Sequence, residues 1–174
     1  MLALAIAEQG AFMIKSLFLF GFALASTIWA EAELKTVPKL DLNRYAGKWY
    51  EIARLPMKHQ DGCIKSEAEY VISGSEITVT NRCSLADGKN KEITGIARVK
   101  DKSASAKLEV NFVPGWIRWT GIGWANYWVI EIGADYQYAV VSEPKREYLW
   151  ILSRKPSIQK NLYDEITEIG RAHV

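Results

Sequence analysis

The 174-residue chain has little of what catalytic and nucleic-acid-binding proteins usually need. It has two histidines, His59 and His173, and two cysteines, Cys63 and Cys83. No metal-ligand spacing and no glycine-rich phosphate loop occurs in it. Neither sign of charge prevails, with 22 basic residues against 20 acidic ones. There is no basic stripe, which argues against a nucleic-acid partner. The longest apolar stretch, Leu17 to Ile28, is twelve residues, well short of the ~20 a membrane-spanning helix requires. The one pairing that suggests catalysis is His59 with Cys63, and a disulfide partner explains Cys63 better. A haem site would need an axial ligand, for which His59 or a tyrosine is the sole offer. The chain is therefore expected to be no enzyme and to need no cofactor.

Scarcity of cysteine turns into information once export is considered. Residues 13 to 32, MIKSLFLFGFALASTIWAEA, carry a basic Lys15, the apolar stretch and a small-x-small end at Ala30-Glu31-Ala32. That is the pattern of a cleaved signal peptide. Residues 1 to 12 lack a basic residue, so Met13 is the expected start and 1–32 reads as an upstream over-extension plus leader. No cysteine stands at the cleavage point to take an acyl anchor, so a periplasmic or secreted protein is expected and outer-membrane anchoring is not. An even cysteine pair in an exported chain then points to a Cys63–Cys83 disulfide. At the other end, EIGRAHV (168–174) is similar to an in-frame translation of a sequencing-adapter sequence and reads as a non-native tail.

What is plentiful is aromatic residues and period-two alternation. There are seven Trp and eight Tyr, most of them between Trp116 and Trp150. SEAEYVI (66–72), ITVTNRC (77–83), ITGIARVK (93–100), AKLEVNFV (106–113), NYWVIEIG (126–133), QYAVVSEP (137–144) and YLWILSR (148–154) read as strands. With the opening GKWYEIARLP (47–56) they make eight at hairpin spacing. Helical period appears only after Pro156-Ser157, where Ile158, Leu162 and Ile166 recur and Ser157 is a candidate N-cap. One helix after eight sequential strands predicts an all-β fold, an eight-stranded antiparallel up-and-down barrel over 33–167. Closure removes exposed edges, and eight strands leave room for one small ligand.

Gly47-Lys48-Trp49, DYQYAVV (135–141) and Arg154 come in an order and at separations that resemble the lipocalin family, and in particular its bacterial branch. The resemblance covers about residues 38 to 167. It implies a barrel sealed at one end by Arg154 laid across the Trp49 indole, with Gly47, Asp135 and Tyr136 completing the motif positions. It also implies a ninth strand after the helix, which this sequence lacks. Its implied role is to bind, store or transport a lipid, for envelope maintenance under stress. Parity from Trp49 and Arg154 turns Glu51, Ala53, Trp150 and Leu152 inward. Alternation adds Ala68, Tyr70, Ile77, Val79, Ala97, Val99, Leu108, Val110, Phe112, Tyr127, Val129, Ala139 and Val141 as ligand-lining residues. Such a cup suits a fatty acid, a lysophospholipid or a similar lipid. The small residues Ala53, Ala68, Gly95, Ala97 and Ala139 favour a void; a barrel filled by side chains, acting as an interaction protein through its Trp-rich loop, is the alternative. Trp116, Trp119 and Trp124 in that loop are candidates for a membrane surface, and equally for packing on the rim. Arg118, Lys58 and His59 are candidates for a phosphate headgroup. A second copy of the chain stays open as a partner.

Overall fold

The computed structural model describes residues 33–172. The expected leader, His173 and Val174 lie outside the described residues. Eight antiparallel strands close into a barrel in chain order, β1 to β8, with β1 paired to both β2 and β8. They are β1 (Gly47–Arg54), β2 (Cys63–Ser73), β3 (Glu76–Leu85), β4 (Asn90–Val99), β5 (Lys107–Asn111), β6 (Trp124–Ile132), β7 (Tyr138–Ser142) and β8 (Leu149–Ser153). Each overlaps its expected strand, because alternation of apolar and polar residues is what a sheet with one buried face imposes. Among the described residues three helices accompany the barrel: α1 (Leu42–Tyr45), α2 (Gly115–Arg118) and α3 (Lys160–Ala172). No helix among the described residues is long and apolar enough to cross a membrane.

The α1 turn is invisible to periodicity because it is a single turn. Asp41 caps it, accepting from the backbone amides of Asn43 and Arg44, which replaces the intrahelical partners those amides lack. The helix α3 begins at Lys160, three residues after the expected Ser157 cap. The carbonyl of Gln159 accepts from Tyr163 N, while Ile158 packs on the outer wall ahead of the helix. The helix also runs on through 168–172, with Gly170 buried beside Leu149.

Two apolar clusters divide the molecule. The inner one lines the barrel interior and includes Trp49, Tyr70, Val79, Leu108, Val129, Val141 and Leu152. The outer one, with Leu34, Trp128, Ile130, Val140, Ile151 and Ile166, lies between the wall and α3. Sheet residues therefore reach apolar surroundings on both faces in β6–β8, which is why those strands read as nearly continuous apolar runs. Gly95 has a different role from the void-making one expected of it. A Cβ there would stand 2.4 Å from the Asn111 carbonyl oxygen and 2.7 Å from the Phe112 ring. Its smallness lets β5 close on β4.

Candidate ligand site in the barrel

The closed end is built around Trp49. The indole is fully buried and donates from Nε1 to the Tyr45 carbonyl at 2.8 Å. The Arg154 guanidinium carbon lies 3.7 Å from the indole centroid. Its Nη1 donates to Lys48 O at 2.7 Å, and Nη2 to Arg44 O, Tyr45 O and Ala46 O at 2.7, 3.1 and 2.9 Å. Stacking and donation act together here: the planar fork satisfies carbonyls of the chain crossing the floor while its face covers the ring. Gly47 is needed for its φ of +89°, a conformation that L side chains rarely adopt. Tyr136, at φ +57°, accepts from Asp41 N through its hydroxyl at 2.9 Å and from Arg154 Nε through its carbonyl at 3.3 Å. Asp135 contributes only its carbonyl, to Gln137.

Above this floor the register turns most of the expected lining inward. Tyr70, Ile77, Val79, Ala97, Leu108, Val110, Val129, Ala139, Val141 and Leu152 belong to the inner cluster, with Ala68, Phe112, Tyr127 and Trp150 packed against it. Val99 pairs with Leu108, on the same face. Phe112, Tyr127 and Trp150 point inward yet keep accessible surface, whereas Ala97 and Ala139 are 3% and 0% exposed. Of the inner-face residues, these aromatics and not the alanines keep accessible surface. A barrel of this form can enclose a small hydrophobic molecule.

Ala53 is a correction. The β1–β8 pairing shifts between Glu51 and Ala53, so Ala53 faces Ile151 and packs on the outer cluster. A bulge inserts one residue and reverses parity beyond it. Arg54, paired with Trp150, takes the inward place instead. This changes the mouth, which is polar where an apolar cup was expected. Arg54 Nη1 bonds Glu51 Oε1 at 2.5 Å, and its Nη2 donates to Gln60 O and Cys63 O at 3.1 and 3.3 Å. The Gln60 amide donates to Glu51 Oε2 at 2.7 Å and Ser66 Oγ at 3.3 Å, and accepts from Trp150 Nε1 at 3.1 Å. Gln60 ends a 3₁₀ turn (Lys58–Gln60) in the β1–β2 loop, so this network ties the loop to the rim. Cys63 and Cys83 are joined in a disulfide just beyond it, which removes the His59–Cys63 pair as a catalytic site. Among the described residues no group of three or more His, Cys, Asp or Glu could hold a metal.

Sequence reading also missed Tyr45. It reaches into the barrel from α1, its ring centroid 4.9 Å from that of Trp49. Its hydroxyl is 2.7 Å from that of Tyr127, to which Tyr70 donates at 2.8 Å. Burial pushes the pKa of all three phenols up, so they are neutral donors. A tyrosine just ahead of Gly47-Lys48-Trp49 was the available clue.

The Trp-rich loop is split. Trp116 and Trp119 are 75% and 83% exposed. Trp124 sits on the outer wall, with the Arg98 guanidinium 3.8 Å from its centroid. Arg118 donates to Val113 O, within its own loop.

A family described as "Lipocalin-like domain" matches residues 40–173. The chain is 37% identical over 140 residues to Temperature-induced lipocalin-1 of Arabidopsis thaliana, covering 78% of this chain and 74% of the other. It is also 37% identical over 141 residues to Outer membrane lipoprotein Blc of Vibrio cholerae, covering 79% and 78%. Equal likeness to a plant and a bacterial relative singles out no branch. Among solved structures, insecticyanin of the tobacco hornworm Manduca sexta superposes with a TM-score of 0.64 at 23% identity, covering 81% of this chain and 77% of that one.

Proposed function

The chain belongs to the lipocalin family, and from that premise we propose that it binds, stores or transports a fatty acid, a lysophospholipid or a similar lipid in its barrel. The observation that carries this reading is the sealed floor under an interior whose Phe112, Tyr127 and Trp150 keep accessible surface. Burial of each methylene contributes about 0.8 kcal/mol, so chain length alone gives useful affinity. The surface that those three aromatics keep supports an open cup over a barrel filled by side chains.

The place of action proposed is the cell envelope, where the protein is periplasmic or secreted after cleavage of a leader within 1–32. Support comes from the signal-like segment and from a disulfide of the kind that persists in oxidising compartments. The relatives' names add to it: one is an outer membrane lipoprotein and another is temperature-induced, which favours envelope maintenance under stress. The exposed Trp116, Trp119 and Ile122 support contact of that loop with a membrane surface during loading, since indoles favour the bilayer interface.

Titration of delipidated protein with palmitate and with hexadecan-1-ol tests the reading. Saturable quenching of tryptophan fluorescence is expected from at least one. No saturable change with either, together with no lipid in native mass spectra of the freshly purified protein, overturns it.

A further inference from the structure

Three phenols from three different elements meet at the barrel floor: Tyr45 of α1, Tyr70 of β2 and Tyr127 of β6. Three hydroxyls carry three protons, and the two bonds among them use two. Among the described residues no further acceptor bonds any of the three, so one O–H remains to be satisfied. A buried donor without a partner is costly. Tyr45 and Tyr70 are 2% and 5% exposed, while Tyr127, at the centre of the triad, is only partly buried. The spare proton sits on Tyr45 or Tyr127, and Tyr127 is the member of the triad that keeps accessible surface.

The mouth behaves in the opposite way. Both Glu51 oxygens, the Arg54 guanidinium and the Gln60 amide are bonded to one another or to neighbouring groups. That network takes both Gln60 amide hydrogens and three of the five Arg54 N–H donors, so what the mouth has left to offer a ligand is cationic. At the floor, Arg154 acts on the Tyr45 phenol electrostatically, but its donors are turned to backbone carbonyls. Among the described residues no cation hydrogen-bonds the phenols.

We propose that the Tyr45–Tyr70–Tyr127 triad is a polar-head site at the bottom of the cup, which takes the uncharged carbonyl or hydroxyl oxygen of a lipid in preference to an ionised carboxylate. The assignment rests on the barrel being a lipid binder, and it fixes the ligand's direction: head at the floor, hydrocarbon running up past Phe112 and Trp150. A neutral oxygen accepts the spare proton and loses little hydration. A carboxylate there would leave water with no cation in hydrogen-bond contact.

Matched-length probes test it: 2-hexadecanone and palmitate, at about pH 8, where the acid is ionised in water. The ketone is expected to bind more tightly than palmitate, with its carbonyl stretch lowered relative to the ketone in hydrocarbon. A Tyr45→Phe/Tyr70→Phe/Tyr127→Phe triple variant, which removes every hydroxyl, should abolish that shift and weaken the ketone about five-fold, the loss of one neutral hydrogen bond. Tyr70→Phe leaves two hydroxyls, one bond and one spare proton, so the shift should persist. A wild-type ketone carbonyl at its hydrocarbon frequency, or palmitate bound as tightly as the ketone, overturns the triad assignment while leaving the lipid reading intact. If neither probe binds the wild type, the lipid reading itself fails.

Discussion

Arg154 donates to five backbone carbonyls: those of Arg44, Tyr45, Ala46, Lys48 and Tyr136. Replacing it leaves those oxygens short of donors and uncovers one face of Trp49. Arg154→Ala is expected to cost about 2–4 kcal/mol in urea unfolding, and Arg154→Lys to recover little of it. A lysine offers a point charge and no planar fork. A loss under about 0.5 kcal/mol, the scale of an ordinary surface change, would mean the stack is incidental. Trp49 and Arg154 were legible because their types and spacing resemble a family's motif. Ala53 and Arg54 were not legible. Their facing depends on one inserted residue, and nothing in the local pattern Glu-Ile-Ala-Arg signals it.

At the scale of elements, alternation located all eight strands, since a sheet with a buried inner face must repeat every two residues. It could not locate α1 or α2, each four residues long, because a single turn has no period to detect. It also misplaced the start of α3, where Ile158 is apolar for the outer wall and not for a helix face. The disulfide belongs to this scale as well. It ties the start of β2 to the upper part of β3, at a sequence separation of 20. A Cys63→Ser/Cys83→Ser double variant is expected to lose roughly 3 kcal/mol through loop-closure entropy. The barrel should still close, with the loss read as a lower urea midpoint at unchanged slope. An unchanged midpoint would show that the bridge constrains nothing in the unfolded chain.

For the whole molecule, the triad sets a limit at high pH. Burial raises the pKa of Tyr45, Tyr70 and Tyr127 above the usual value near 10. Above about pH 10 the unfolded chain releases those protons and the folded one retains them, so stability falls as pH rises. Alkaline unfolding followed by circular dichroism should coincide with the last phenolate absorbance. Phenolate forming fully while the fold persists would show the phenols to be accessible. The sequence by itself determined the number of strands and their order, because these follow from alternation, and it gave away the floor plug through the resemblance of its motifs to a family's. Only the tertiary structure decided the chemistry inside. Bulges reset which side chains face the hollow, and closure brought Tyr45, Tyr70 and Tyr127 within hydrogen-bond reach from positions up to 82 residues apart.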